Sequence, residues 1–307
     1  LLCFPAINQS TAEIHQQREA LANTLDSIRA NGETFKNPFR DIGLTNFFLT
    51  YHDLNDRPLQ RAIADMYLRV APTLNWRTPA KAPVSHPRIR IGFLCAYLNN
   101  HTIGKLNRGL IENLDRERFE VVVFRFPHKQ DELSADHVVP IHKNLETARR
   151  RIAAEDLDIL FYPEIGMDPF TYFLAFSRLA PVQAVSWGHP DTTGIPNIDY
   201  FLSCRDMEPP GADDHYSEKL VRLRYLPVFS YPVSIPESLP GRAHFGLPED
   251  ARLYVIVQSL FKFHPDFDGV LGAILEADPD GRLVLISGNT SHWDQVLRRR
   301  FKASFPK

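Results

Sequence analysis

The sequence predicts an α/β protein: two Rossmann-like domains, the second incomplete, preceded by a helical N-terminal region. Three observations carry this. Short apolar runs alternate with helical patterns from Arg88 to Ser203, the alternation restarts at Leu253, and the first ninety residues show mainly helical spacing. Strands written as continuous apolar runs belong to parallel sheets covered on both faces. The boundaries read as 1–87 for the helical region and linker, 88–235 for the first Rossmann-like domain, and 236–307 for the start of the second.

Ser10, with Glu13 three residues later, forms a capping box ahead of Ile14, Leu21, Leu25 and Ile28, predicting a helix from Thr11 to Asn31. A second helix starts near Pro58, carries Leu59, Ile63, Met66, Tyr67 and Val70, and ends before Pro72. No repeat of about 34 residues is evident. From Thr73 to Pro87 the composition shifts to Pro, Lys, Ser and Thr, the mark of a linker. Arg88–Cys95 then reads as a strand, followed by a helix through Leu106, Leu110, Ile111 and Leu114. Phe119–Phe126, Leu157–Tyr162, Val182–Trp187 and Tyr200–Ser203 read as strands, with helices at Leu145–Ala154 and Pro169–Ser177. Prolines 227, 232, 236, 240 and 248 mark the connection between domains. Beyond it come a strand Leu253–Val257, a helix Pro265–Glu276 and a strand Arg282–Ile286. Because a Rossmann-like domain needs over about a hundred residues, and because residue 1 is Leu, the sequence reads as an excerpt of a longer protein.

Hydrophobic residues make up 44% and charged residues 23% of the 307, which excludes wholesale disorder. The 35 Lys and Arg against 37 Asp and Glu leave a formal charge of -2, so there is no electrostatic footprint for nucleic acid. Cys3, Cys95 and Cys204 are too few and too dispersed for zinc pairs or a disulfide framework, which points to a reducing, cytoplasmic compartment. No apolar run approaches the ~20 residues that span a bilayer, so no membrane partner is expected.

In open parallel sheets ligands bind at the carboxyl ends of strands, and four loops there are unusual. Asn99–Lys105 places His101, a hydroxyl, an amide and an ammonium together. A lone loop histidine is more often a structural hydrogen-bonder than a catalyst. Glu164 and Asp168 follow the next strand, and Asp168 before Pro169 suits a helix N-cap. Trp187–Gly194 offers glycines, hydroxyls and backbone amides that could cradle sugar hydroxyls or phosphate oxygens, although a tight turn explains Gly188 and Pro190 equally well. Gln258–Lys262 follows the first strand of the second domain and makes a reasonable anion site.

The pairs Asp156/Asp158, Asp266/Asp268 and Asp278/Asp280 imitate a metal-binding Asp-x-Asp, but they fall in a strand pattern, a helix start and a turn, so no metal site emerges. GxSxG, GxxxxGK[ST], HExxH and GxGxxG are all absent. Arg298-Arg-Arg300 with Lys302 reads as a solvated helix face.

Seven segments, in order, resemble the family 41 glycosyltransferases, the O-linked N-acetylglucosamine transferases and their bacterial relatives. They are Asn100-His101, Leu179-Ala-Pro-Val-Gln183, Trp187-Gly-His-Pro190, Thr193-Gly194, Ile198-Asp-Tyr200, Tyr216-Ser-Glu-Lys219 and Gln258-Ser-Leu-Phe-Lys262, with a weaker likeness at Thr45–Tyr51. The resemblance implies a GT-B architecture and an inverting, metal-independent transfer of a sugar, N-acetylglucosamine, from a UDP-sugar to Ser or Thr of a protein, with no cofactor besides the donor. By position it implies that His101 is the active-site histidine, serving as base or as contact. Gly188, His189 and Pro190 then stand at the donor sugar, and Gln258 and Lys262 at the diphosphate, Lys262 facing the interdomain cleft and stabilising the leaving group. His189 stands where some relatives carry Tyr, and Asp191 where some carry Gly. The family's second phosphate loop, base contacts and ribose carboxylate have no counterpart, so the 307 residues alone are expected neither to bind a UDP-sugar tightly nor to turn it over. Two alternatives are kept: an Asn-directed glucosyltransferase of the adhesin-modifying type, and a non-enzymatic protein-binding module.

Overall fold

The computed structural model describes residues 4–32, 34–79, 86–127, 133–288 and 290–305. Cys3, residues 80–85 of the expected linker and Asn289 lie outside these. The chain forms two compact units, one of residues 22–47 and 55–232, the other of residues 4–21, 48–54 and 233 onward.

Helix α1 (Thr11–Asn31) opens with the expected box, slightly shifted. Ser10 Oγ accepts the Glu13 amide at 3.1 Å, while Glu13 reaches back to the Gln9 amide at 2.5 Å. Its residues are divided between the two units. In the larger unit, α2 (Pro38–Asp41) is capped by Asn37, and α3 (Arg57–Val70) buries Ile63, Met66, Tyr67 and Val70.

The larger unit is built on β1 (Ile89–Leu94), α4 (Thr102–Glu112), β2 (Phe119–Arg125), β3 (His137–Pro140), α5 (Leu145–Ala154), β4 (Ile159–Tyr162), α6 (Pro169–Ala175), β5 (Val182–Ser186), β6 (Tyr200–Cys204) and β7 (Lys219–Leu223). All seven strands are parallel, in the order β3-β2-β1-β4-β5-β6-β7. The chain begins in the middle, builds outward to β3, then crosses to β4, so β1 and β4 are neighbours whose following loops diverge. Phe93 pairs with Phe161 in register across this junction. One face of the sheet is covered through Ile103 and Ile111 of α4 against Phe93, Val121, Val123 and Phe161. In the helical layer, Tyr67 of α3 meets Phe173 of α6 edge-on at 5.1 Å.

Two strands escape the sequence pattern, and they are the two edges. β3 and β7 break their apolar residues with charged or exposed ones (His-Val-Val-Pro and Lys-Leu-Val-Arg-Leu), as edges that must not pair further do. The expected linker also begins as ordered structure: Arg77 bridges Arg178, whose carbonyl accepts the Thr78 amide at 2.9 Å.

The smaller unit contains β8 (Leu253–Ile256), α7 (Phe267–Ala277), β9 (Arg282–Leu285) and α8 (Ser291–Ser304), with β8 and β9 paired in parallel. Ile7, Leu260, Phe263, Leu271 and Leu297 form its core. Here the reading of Arg298–Arg300 as a solvated face fails at its last residue. Arg300 is 3% exposed and grips Asp268 at 2.8 and 2.9 Å, also donating to the carbonyls of Asn8 and Phe263. A guanidinium fork satisfied on all sides can be buried where an ammonium cannot. One aspartate of each discounted Asp-x-Asp pair is engaged in structure: Asp158 accepts the Arg90 amide at 2.8 Å, Asp268 holds Arg300, and Asp278 takes Arg252 and the Tyr254 hydroxyl. Among the described residues no helix is long and apolar enough to cross a membrane.

Candidate functional site

In open α/β sheets ligands bind where the loops after neighbouring strands diverge, which here is after β1 and β4, beside the loop after β5. His101 follows β1, Glu164 follows β4, and Gly188 follows β5. The loop after β5 meets the loop after β4 and the start of α4: a Cβ on residue 188 would lie 3.0 Å from Glu164 Cβ and 3.2 Å from Ile103 Cδ1.

His101 is the N-cap of α4. Its backbone is extended, and Nδ1 accepts the Ile103 amide at 3.2 Å, satisfying one of the donors a helix start leaves open. The ring lies against that of Tyr97, centroids 4.6 Å apart and planes 33° from parallel. Burial, then the Lys105 charge, lower its pKa and so favour the neutral imidazole.

Gly188 donates to the Pro163 carbonyl at 3.1 Å, and that same oxygen would lie 2.5 Å from a Cβ. His189 is buried, stacks on Phe47 at 5.2 Å, and is pushed down to about 4 by burial. Gly166, at φ +116°, leaves room for that imidazole: its missing Cβ would stand 2.5 Å from His189 Cδ2. Pro190 is exposed.

Glu164 is fully buried and accepts from the Met167 amide at 3.1 Å and the Thr171 hydroxyl at 3.2 Å. Burial raises its carboxyl to about 8, with the charge of Asp168 adding to the effect. At neutral pH it is mostly an uncharged acid. Asp168 caps α6 through the amides of Phe170 and Thr171 and takes the Lys143 ammonium at 2.6 Å.

The hydroxyls of the Trp187–Gly194 loop are already used within the protein. Buried Glu218 accepts from Thr192 Oγ1 at 2.7 Å, from the Thr193 amide at 2.8 Å and from the Thr193 hydroxyl, while Ser217 Oγ takes the Gly194 amide at 3.0 Å. Two other motifs are scaffold as well. Gln183 clamps the Leu179 amide and the Ser177 and Asn197 carbonyls, and Asp199 holds Arg178 with two bonds of 2.6 and 3.0 Å.

In the smaller unit, Gln258 lines a groove of about 570 Å³ at the ends of β8 and β9, with Ser287, Gly288 and Trp293. Lys262 closes the short turn Leu260–Lys262; its side chain is exposed and its ammonium lies 5.8 Å from the centre of the Tyr51 ring. Phe47, Tyr51 and Tyr97, which touch His189, Lys262 and His101, were not singled out one by one in the sequence. For the first two the only signal was the weak likeness at Thr45–Tyr51. Among the described residues no group of three or more His, Cys, Asp or Glu could hold a metal ion.

No protein-family model matches the chain. It is 26% identical over 226 residues to a probable UDP-N-acetylglucosamine–peptide N-acetylglucosaminyltransferase, SEC, of Arabidopsis thaliana, covering 68% of this chain and 23% of that protein. It is 33% identical over 135 residues to a UDP-glucose:protein N-beta-glucosyltransferase of Actinobacillus pleuropneumoniae, covering 43% of this chain and 21% of that one. The chain thus spans less than a quarter of the length of these curated relatives. A solved O-GlcNAc transferase mutant from Thermobaculum terrenum superposes with a TM-score of 0.69 at 23% identity, covering 96% of this chain and 56% of the other, which shows the shared fold.

Proposed function

From its relationship in sequence to the O-linked N-acetylglucosamine transferases and the bacterial protein N-glucosyltransferases, we propose that the chain is part of a protein glycosyltransferase. It moves N-acetylglucosamine from a UDP-sugar to Ser or Thr of a protein acceptor, with inversion and without a metal or further cofactor. The observation that carries the reading is the meeting of three loops, those of His101, Glu164 and Gly188, at the carboxyl ends of β1, β4 and β5. The buried thiols Cys95 and Cys204, both free, suit a reducing cytoplasm.

In this reaction the acceptor oxygen attacks the anomeric carbon from the face opposite the diphosphate. The bond from that carbon to the diphosphate oxygen breaks, its electron pair leaves with UDP, and the proton of the acceptor hydroxyl passes to solvent. Charge therefore grows on the diphosphate, and an ammonium there does the work a metal would do. Lys262 has this role, with Gln258 beside it. Gly188 and Pro190 form the wall against the donor sugar, which His189 supports from behind as a neutral, stacked ring.

A second reading has a specific observation behind it: the 33% identical stretch shared with a UDP-glucose-dependent enzyme, which favours transfer of glucose to Asn. The test is mass spectrometry of acceptor proteins incubated with UDP-N-acetylglucosamine or UDP-glucose and the protein that carries these 307 residues. N-acetylhexosamine on Ser or Thr is the expected product. Hexose on Asn would establish the second reading instead, and no transfer from either donor would leave a non-enzymatic binding module.

A further inference from the structure

We propose that His101 acts through Nε2 as a hydrogen-bond donor and not as the base, locked in one tautomer by the Ile103 amide, and that Tyr97 is the residue that positions its ring. The inference rests on the proposed function, in which His101 contacts the reacting sugar or the acceptor.

Donors and acceptors decide which ring nitrogen holds the proton. A backbone amide can only donate, so the Ile103 N–H at 3.2 Å requires a lone pair on His101 Nδ1. A neutral imidazole carries one proton, which must then sit on Nε2, a nitrogen with no partner among the described residues. For Nε2 to take a proton as a base, the ring would either become a cation or move its proton to Nδ1. Either way Nδ1–H would point at Ile103 N–H, donor against donor, and the cap of α4 would be lost. Burial and Lys105 already disfavour the cation.

The ring plane is fixed from the other side. Tyr97 lies against it at 4.6 Å and is itself tied down, its amide to Cys95 Sγ at 3.2 Å and its carbonyl to the Asn99 amide at 2.8 Å. Asn99 Oδ1 then accepts the His101 amide at 3.0 Å. Tyr97, Asn99 and His101 thus form one braced turn, and what it presents is an N–H. The partner this chemistry selects is an oxygen with a lone pair, such as a sugar or acceptor hydroxyl or a phosphate oxygen.

The experiment is ¹⁵N NMR of histidine-labelled protein at pH 7, with the His101 resonances assigned by their loss in His101→Ala. The expected result is a pyridine-like Nδ1 and a pyrrole-like Nε2. Tyr97→Phe keeps this pattern, whereas Tyr97→Leu mixes the tautomers and lowers kcat about tenfold with little change in KM, as a misplaced group does. His101→Gln, which retains an N–H donor, keeps more activity than His101→Ala. A protonated Nδ1, or an even mixture of tautomers in the wild-type protein, overturns the proposal. A locked Nε2–H tautomer in a protein that transfers no sugar overturns the proposed function and, with it, the catalytic role of His101. A locked tautomer in an active protein whose Gln and Ala variants are equally impaired overturns the donor role alone.

Discussion

The Pro163 carbonyl oxygen accepts the Gly188 amide at 3.1 Å and stands 2.5 Å from where a Cβ on residue 188 would be. Two strand ends, those of β4 and β5, are held together by that approach, and only glycine permits it. Gly188→Ala is therefore expected to push the loops apart and to cost about 1–3 kcal/mol, the usual range for forcing an atom into packed surroundings. Urea denaturation measures it. A change below about 0.5 kcal/mol would mean that the loop after β5 yields freely and that Gly188 is there for the ligand alone.

Glu164 gives a pH signature. Its carboxyl is raised from an ordinary 4.5 to about 8 by burial first. Below pH 4.5 both folded and unfolded chains hold the proton, so its contribution to stability is fully present. Between 4.5 and about 8 only the folded chain holds it. Stability falls as pH rises through this window, by about 1.4 kcal/mol per unit at the steepest, and levels off above it. Glu164→Gln copies the protonated acid: its carbonyl can accept from Met167 and its amide can donate to the Thr171 oxygen. The difference in urea midpoint between pH 5 and pH 8 should shrink in this variant. An unchanged pH dependence would place the proton elsewhere.

Arg300 and Asp268 are 3% and 4% exposed at their side chains. Removing one leaves the other charged and buried, which costs about 3–5 kcal/mol. Arg300→Ala should unfold the smaller unit at lower urea than wild type, and the Arg300→Ala/Asp268→Ala double variant should lose less than the sum of the two single changes. Additive losses would show that the two side chains are not coupled.

The sequence made the central strands legible because parallel strands covered on both faces are apolar throughout, as Val121–Phe124 and Leu160–Tyr162 are. It hid the edges, where Lys219, Arg222 and His137 blur the pattern. Among the site residues, His101 and Gly188 stood out from their position after strands. What the sequence could not divide was chemistry from scaffold. Gln183, Asp199 and Thr193 are as characteristic of the motif order as His101, yet their polar groups are taken up inside the protein. Nor could it show Tyr97 against His101, since the contact depends on the turn between them and not on spacing alone. Arg300 was misread for a related reason: charge in a run of three says solvent, and only the fold supplies Asp268.

In the proposed transfer, Lys262 meets the charge that develops on the departing diphosphate. Because Lys262 is exposed, Lys262→Ala should leave the melting temperature essentially unchanged, as surface substitutions do. The direct measurement compares single-turnover rates and donor affinity for wild type and Lys262→Ala in the protein that carries these residues, with EDTA present throughout. The wild-type protein should transfer sugar in EDTA. The variant's rate should be lower by about 10²–10³, or roughly 3–4 kcal/mol, with donor affinity little changed, because the ammonium acts on charge that appears only in the transition state. An unchanged rate in the variant, or a wild-type rate abolished by EDTA, would rule out this role for Lys262.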